Sequence, residues 1–151
     1  PVIGINYYES LVCALWLGRR LPIEKEWEKA ARGVDGRDYP WGEAMGYQND
    51  YANTCDFVIG RTSAVTEFEQ GVSPFGCFDM AGNVWEWCVQ LYSKGHVIQR
   101  VARGGSWLNY MVHSKCVYRN TFNPDERYPS TGFRCVSLEH TEVDDDDDED
   151  E

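Results

Sequence analysis

Six cysteines (Cys13, Cys55, Cys77, Cys88, Cys116 and Cys135) and three histidines (His96, His113 and His140) are the side chains here best suited to soft-metal, redox or nucleophilic chemistry. A zinc site is built from closely spaced pairs of the C-x2-C kind. No such pair exists, and the histidines do not fall at ligand spacing. Val12-Cys13-Ala14 and Arg134-Cys135-Val136 set thiols among apolar neighbours, where a free cysteine packs as a small hydrophobe. Buried thiols are therefore the expectation, with one or two disulfides as the alternative.

Any such group needs an ordered scaffold to position it. After a strand-like start at Val2–Ile5, the segment from Asn6 to Leu17 carries Tyr7, Leu11, Ala14 and Leu15 at helical spacing. Asn6 suits an N-cap and Gly18 a stop, and the apolar run Leu11–Leu17 reads as buried helix. A second helix is expected after Pro22, running through Arg32 to Gly33, with Trp27, Ala30 and Ala31 on one face. Its acids cluster in the first turns, where they complement the helix dipole. From Asp35 helical periodicity ends, and Gly, Pro, Asn and aromatics alternate as far as Gly76. A loop region this long needs bound ions or stacked aromatics to hold it. Strands are expected at Val84–Val89, Arg100–Gly104, Cys116–Arg119 and Gly132–Val136. On a strand, Trp85 and Trp87 share a face and Glu86 takes the other. Trp27, Trp85, Trp87 and Phe133 are core candidates. Two helices, loops and then short strands define an α+β domain.

The composition, 42% hydrophobic and 14% aromatic over 151 residues, is that of a folded single domain. Its net charge of −11 belongs mostly to one place, the unbroken acidic run Asp144–Glu151. Without that run, 17 acids face 14 bases and the balance is −3. Like charges in a row repel and bury nothing, so residues 139–151 read as a solvated, disordered tail after a domain at 1–138. Nothing resembles a nucleic-acid stripe, and the charge sign argues against one. No apolar run approaches the ~18 residues of a membrane span. No basic n-region followed by an apolar segment is visible, and the chain begins at Pro1, so the compartment stays open.

Four stretches in order resemble the sulfatase-modifying-factor, or formylglycine-generating-enzyme, family. The first is Arg20-Leu21-Pro22-Ile23-Glu24-Lys25-Glu26-Trp27-Glu28 with Ala30-Ala31-Arg32-Gly33. Tyr39-Pro40-Trp41-Gly42 follows, then Ser73-Pro74-Phe75-Gly76 through Asp79-Met80-Ala81-Gly82-Asn83-Val84-Trp85-Glu86-Trp87. The last is Arg103-Gly104-Gly105-Ser106-Trp107, closing in Gly132-Phe133-Arg134-Cys135. The resemblance implies a C-type-lectin-like fold of two helices, a small antiparallel sheet and many loops. It also implies a calcium ion on the Asp79 side chain, the Gly82 and Val84 carbonyls and the Glu86 side chain, hard oxygen donors of the kind Ca²⁺ takes. A second family calcium site would begin at Asn53 and Thr54, but the loop after it is short and only Asp56 lies close by. The family's leading strands are expected to be missing from this chain.

The family's enzymes hold Cu(I) on two cysteines just after the Gly-Gly-Ser signature, soft thiolates being what Cu(I) selects. Here that run is Trp107 to Lys115, without a cysteine. The related iron-dependent enzymes draw histidine ligands largely from a separate helical domain, which this sequence is expected to lack. No copper is expected, and the enzyme reading, a divergent formylglycine-generating oxidoreductase, becomes the alternative. The first reading is a non-catalytic module presenting residues 108–131 to an unknown protein or small-molecule ligand. Its candidate contacts are Leu108, Asn109, Tyr110, His113, Tyr118, Phe122, Asn123, Asp125 and Tyr128, a set resembling an antibody paratope. Of these, Tyr110, His113, Asn123 and Tyr128 are expected at the surface, while Tyr118 and Phe122 suit core and surface equally. The layout also resembles the variable proteins of diversity-generating retroelements, many of which vary a C-terminal stretch on this fold by randomising adenines. Leu108, Asn109, Tyr110, Val112, His113, Ser114, Tyr118, Phe122, Asp125, Tyr128 and Ser130 are reachable from an Asn codon that way, as most amino acids are; Met111, Lys115 and Glu126 are not.

Overall fold

Asn6 opens helix α1 (Tyr7–Trp16) with a reciprocal capping box. Its Oδ1 accepts from the Glu9 N–H, and the Glu9 carboxylate accepts from the Asn6 N–H, both at 2.9 Å. The chain leaves α1 at Gly18, in the left-handed region at φ +68°. Strand β1 (Arg19–Arg20) follows, then α2 (Glu24–Arg32), whose Glu26 accepts from the Ile23 N–H at 2.9 Å. In this computed structural model residues 1–43 and 50–137 are described; the acidic tail lies outside the described residues.

Strands β2 (Trp85–Lys94), β3 (Val97–Arg103), β4 (Arg119–Phe122) and β5 (Thr131–Gly132) form one sheet in the order β4-β3-β2-β5. β3 lies antiparallel to both β2 and β4, while the short β5 runs parallel to β2 through Trp85↔Thr131 and Glu86↔Gly132. β6 (Val136–Ser137) pairs with β1 in a separate antiparallel ribbon. The fold is α+β, as the residue pattern predicts, with differences in detail. Val2–Ile5 joins no strand; its Gly4 N–H donates to the Tyr128 carbonyl and its Ile5 carbonyl accepts from the Trp87 indole. The β2–β3 hairpin runs past both expected ends to a turn at Gly95-His96. Residues 116–118 are not strand, because the Cys116 and Val117 carbonyls accept from Arg103 instead of from a ladder. The last expected strand is split between two sheets at Phe133–Cys135, where the Arg134 side chain turns inward to Glu86.

The central strand divides the core by alternation. Trp85 and Trp87 point to one face, against Tyr7, Ala14, Leu21 and Ala102. Cys88, like Glu86, takes the other face, where Trp27, Ala31, Met80, Val101 and Cys116 pack. Phe133 is half-buried beside the first cluster. The loop region is held partly by stacking: Tyr39 on Trp41 at 5.2 Å and Trp41 on Tyr51 at 5.1 Å. Leu11–Leu17 is not the buried helix its composition suggests. Tyr7, Ser10 and Ala14 face inward, but Leu15 is 60% and Trp16 83% exposed. A 3.6-residue turn puts those two on the side away from the sheet.

All six cysteines are free thiols, Cys88 and Cys116 fully buried and the other four half-buried. Burial pushes the Cys116 thiol up to about 12 and the Cys88 thiol further up, so both stay protonated and inert.

Candidate functional site

The segment after β3 is bolted at both ends. Gly104 and Gly105 turn at φ +98° and +74°, and a Cβ on Gly105 would stand 2.2 Å from the Ser114 Oγ. Only glycine fits there. The Asn109 Oδ1 accepts from the Trp85 indole at 2.8 Å and from the Ser106 hydroxyl at 2.6 Å. Its carbonyl accepts from the Cys55 N–H at 3.0 Å. Asp56 accepts from the Met111 N–H at 2.7 Å, and the Asp38 carbonyl accepts from the Cys116 N–H at 2.7 Å. Arg103, fully buried over the Trp27 ring, donates to the Cys116 and Val117 carbonyls and to Glu24 and Glu28 of α2. Between these anchors Leu108, Tyr110, Val112, Val117 and Tyr118 are exposed.

The nine candidate contacts therefore separate. Leu108, Tyr110, Tyr118 and Asp125 are exposed, whereas Asn109, His113, Phe122, Asn123 and Tyr128 are half-buried. His113 packs edge-on to Tyr118 at 5.1 Å with its Nδ1 buried and unpaired. Phe122 stands edge-on to Trp85 and Trp87, about 6 Å from each, and 4.7 Å from Tyr128. The Tyr128 hydroxyl donates to Glu126, and the Asn123 amide both donates to Glu126 and accepts from the Asp125 N–H. Trp85 links the two halves, since Tyr118 also packs on it at 6.1 Å. Val112 and Val117 join the exposed set without having been singled out; the signal was aliphatic side chains in a loop rich in turns.

The Asp79 loop lies elsewhere, above the opposite face of β2. Asp79, Gly82 and Asn83 all adopt positive φ, and a Cβ on Gly82 would stand 2.4 Å from the Asn53 carbonyl oxygen. Both carboxylate oxygens of Asp79 are buried and make no hydrogen bond of ordinary geometry, the Asn83 side chain being the donor beside them. Burial, then the nearby Glu86 carboxylate, push its pKa up to about 6, against a partial pull from Arg134. Such an orphaned carboxylate suits a hard cation. Glu86 is already engaged. Its oxygens accept from the Trp27 indole at 2.6 Å and from Arg134 at 2.5 and 2.7 Å. Asp79 and Glu86 line a cavity of about 320 Å³ with Val2, Phe78, Phe133 and Arg134. Among the described residues no three His, Cys, Asp or Glu side chains are grouped to hold a metal. At the second position the Asn53 amide donates to the Arg61 carbonyl and the Ser63 hydroxyl. No helix among the described residues is long and apolar enough to cross a membrane.

Two helices on a small mixed sheet, with a long anchored loop after Gly-Gly-Ser, define a C-type-lectin-like domain of the formylglycine-generating type. The chain belongs to the family described as sulfatase-modifying factor enzyme 1-like domain, whose model matches residues 1–138. It is 33% identical over 152 residues to a Bos taurus protein named inactive C-alpha-formylglycine-generating enzyme 2, covering 91% of this chain and 50% of that one. It is 32% identical over 166 residues to the formylglycine-generating enzyme of Streptomyces coelicolor, covering 91% and 52%. The chain thus spans about half the length of these relatives. Among solved structures it resembles PvdO from Pseudomonas aeruginosa, with TM-score 0.77, 25% identity and coverage of 88% and 60%. The Treponema denticola variable protein 1 aligns with TM-score 0.76, 21% identity and coverage of 88% and 69%. The Major Tropism Determinant M1 variant aligns with TM-score 0.59, 20% identity and coverage of 87% and 37%.

Proposed function

We propose that this chain is a non-catalytic binding module, presenting part of residues 108–131 to a protein or small-molecule ligand, as a variable protein of the diversity-generating-retroelement kind would. One observation carries this reading. The loop from Gly104 to Tyr118 is anchored by buried and part-buried hydrogen bonds while Leu108, Tyr110, Val112, Val117 and Tyr118 stand exposed upon it. Aromatic and aliphatic groups on a rigid support are cheap in entropy to immobilise, which suits recognition. The run Trp107–Lys115 offers no thiolate for Cu(I), and Cys116 beyond it is buried and protonated. Likeness to a relative named inactive supports the same reading. The exposed members carry the surface, and Phe122, Asn123 and Tyr128 support it from beneath.

Residues 1–138 form the folded unit in this reading, and 139–151 a solvated tail. A structural calcium ion is part of it too. Asp79 would hold the ion with the Gly82 and Val84 carbonyls and the Glu86 side chain, which the ion would share with Arg134 and Trp27.

The test is a phage library randomised at Leu108, Tyr110, Val112 and Tyr118 and panned against immobilised lysozyme. Folded binders should emerge, whereas a library randomised at Asn109, Met111 and Phe122 should lose its folded members. If the first library unfolds, or stays folded without yielding binders, the surface has been misassigned.

A further inference from the structure

Helix α1 carries two apolar stripes, and the described fold uses one of them. Tyr7, Leu11 and Ala14 pack on the Trp85–Trp87 cluster. Tyr8, Val12, Leu15 and Trp16 face the other way and are exposed, as is Leu17 just beyond. A helix that is apolar on both sides calls for cover on both sides. Along the outer side runs a groove of about 510 Å³, lined by Asn6, Tyr8, Glu9, Val12, Cys13 and Trp16.

We propose that this face binds the same face of a second copy of the chain, making a two-fold dimer through antiparallel α1 helices. Tyr8, Val12 and Trp16 lie four residues apart, so they form a single i, i+4 ridge. That ridge is symmetric about Val12. A two-fold axis through Val12 lays Trp16 of each copy over Tyr8 of the other and sets Val12 against itself, the self-complementarity an isologous interface requires. Both ring pairs then gain aromatic contact, and the compact Val12 lets the helices approach at the axis.

Area and charge agree with that occupant. The exposed Tyr8, Val12, Leu15, Trp16 and Leu17 amount to on the order of 600 Å² per copy, the top of what a monomer's largest patch carries and near the ~800 Å² each partner buries in a stable dimer. Glu9, the one charged side chain lining the groove, is paired with Arg127 of its own chain, so two copies do not meet with bare like charges. A lipid surface is the poorer fit, because α1 has no Lys or Arg to greet anionic headgroups and the chain is acidic.

Sedimentation velocity on the 151-residue chain, from about 1 to 100 µM, should show a concentration-dependent dimer. Val12→Glu and Trp16→Glu should each weaken dimerisation at least ~100-fold, with melting curves nearly unchanged at concentrations where the wild type is monomeric and both side chains are exposed. Under mild oxidation Val12→Cys should form a covalent dimer across the axis, and Val117→Cys, also exposed, should not exceed wild type. A wild type that stays monomeric throughout overturns the proposal. So does a dimer that survives Val12→Glu, or equal cross-linking by the two cysteine variants. Flotation of the wild type with phosphatidylserine vesicles would assign the face to a membrane and overturn it as well.

Discussion

Arg134 grips Glu86 with two nitrogens, Nε at 2.5 Å and Nη2 at 2.7 Å, on the face of β2 opposite Trp85 and Trp87. The same guanidinium donates to the Phe78 carbonyl at 2.9 Å, and Glu86 also accepts from the Trp27 indole. One ion pair thereby ties β2, α2, the Asp79 loop and the segment between β5 and β6. Glu86 is fully buried and Arg134 about three-quarters so, which puts the pair between the surface and buried limits.

Removing Arg134 should therefore cost more than neutralising Glu86. Arg134→Leu leaves a buried carboxylate facing Trp27 alone, for a loss of ~2–4 kcal/mol in urea unfolding. Glu86→Gln turns one of the two acceptor oxygens into a donor facing Trp27 or Arg134, but the guanidinium it leaves is 28% exposed and can reach water, so this variant should lose less. Equal losses would overturn that order, and losses within ~0.5 kcal/mol of wild type in both variants would show that the pair is not a structural tie.

Asp79 gives the metal-free protein a pH dependence of definite sign. Its folded pKa, about 6, lies above the ordinary value of 3.8, so the folded state holds the proton more tightly. Stability contributed by the protonated form is full below the ordinary value and is lost as pH rises through 6. In chelator the wild type should melt lower at pH 8 than at pH 5, and Asp79→Asn should flatten that difference. Calcium added at pH 8 should raise the wild-type Tm by mass action and leave Asp79→Asn little changed. No calcium response in either protein would rule out the structural ion.

The missing cysteine pair predicts catalytic silence. Incubated with Cu(I), oxygen and a cysteine-containing sulfatase peptide, the chain should leave the peptide unmodified by mass spectrometry. Aldehyde product above the buffer control would restore the oxidoreductase reading.

Surface and support can be separated by stability. Tyr110→Ser combined with Leu108→Ser should move Tm only slightly, since both side chains are largely in solvent. Phe122→Ala should cost ~2 kcal/mol, short of the full core penalty because the ring is half-buried against Trp85, Trp87 and Tyr128. Reversal of that order would place the recognition surface on the wrong residues.

Truncation after Val143 should leave thermal stability nearly unchanged, because a run of like charges makes few native contacts. A large loss would show that the acidic tail docks on the domain.

Local spacing was enough to read α1 with its Asn6 cap, α2 up to Gly33, and the opposed faces of Trp85 and Glu86. Each rests on hydrogen bonds or periodicity spanning a few residues, which residue order encodes directly. The same holds for the Gly-Gly-Ser turn and for the cysteine-free run after it, where residue type alone removes the copper ligands. What lay beyond reach were pairings between distant positions. Arg134 meets Glu86 across 48 residues, and Arg103 draws the Val117 carbonyl out of the strand that Cys116–Arg119 was expected to form. On α1 the spacing of Tyr7, Leu11 and Ala14 marked the stripe that faces the sheet, but it also counted Leu15, which packing left in solvent beside Trp16. Chain closure brings such groups together, and no periodicity records which donor will reach which acceptor.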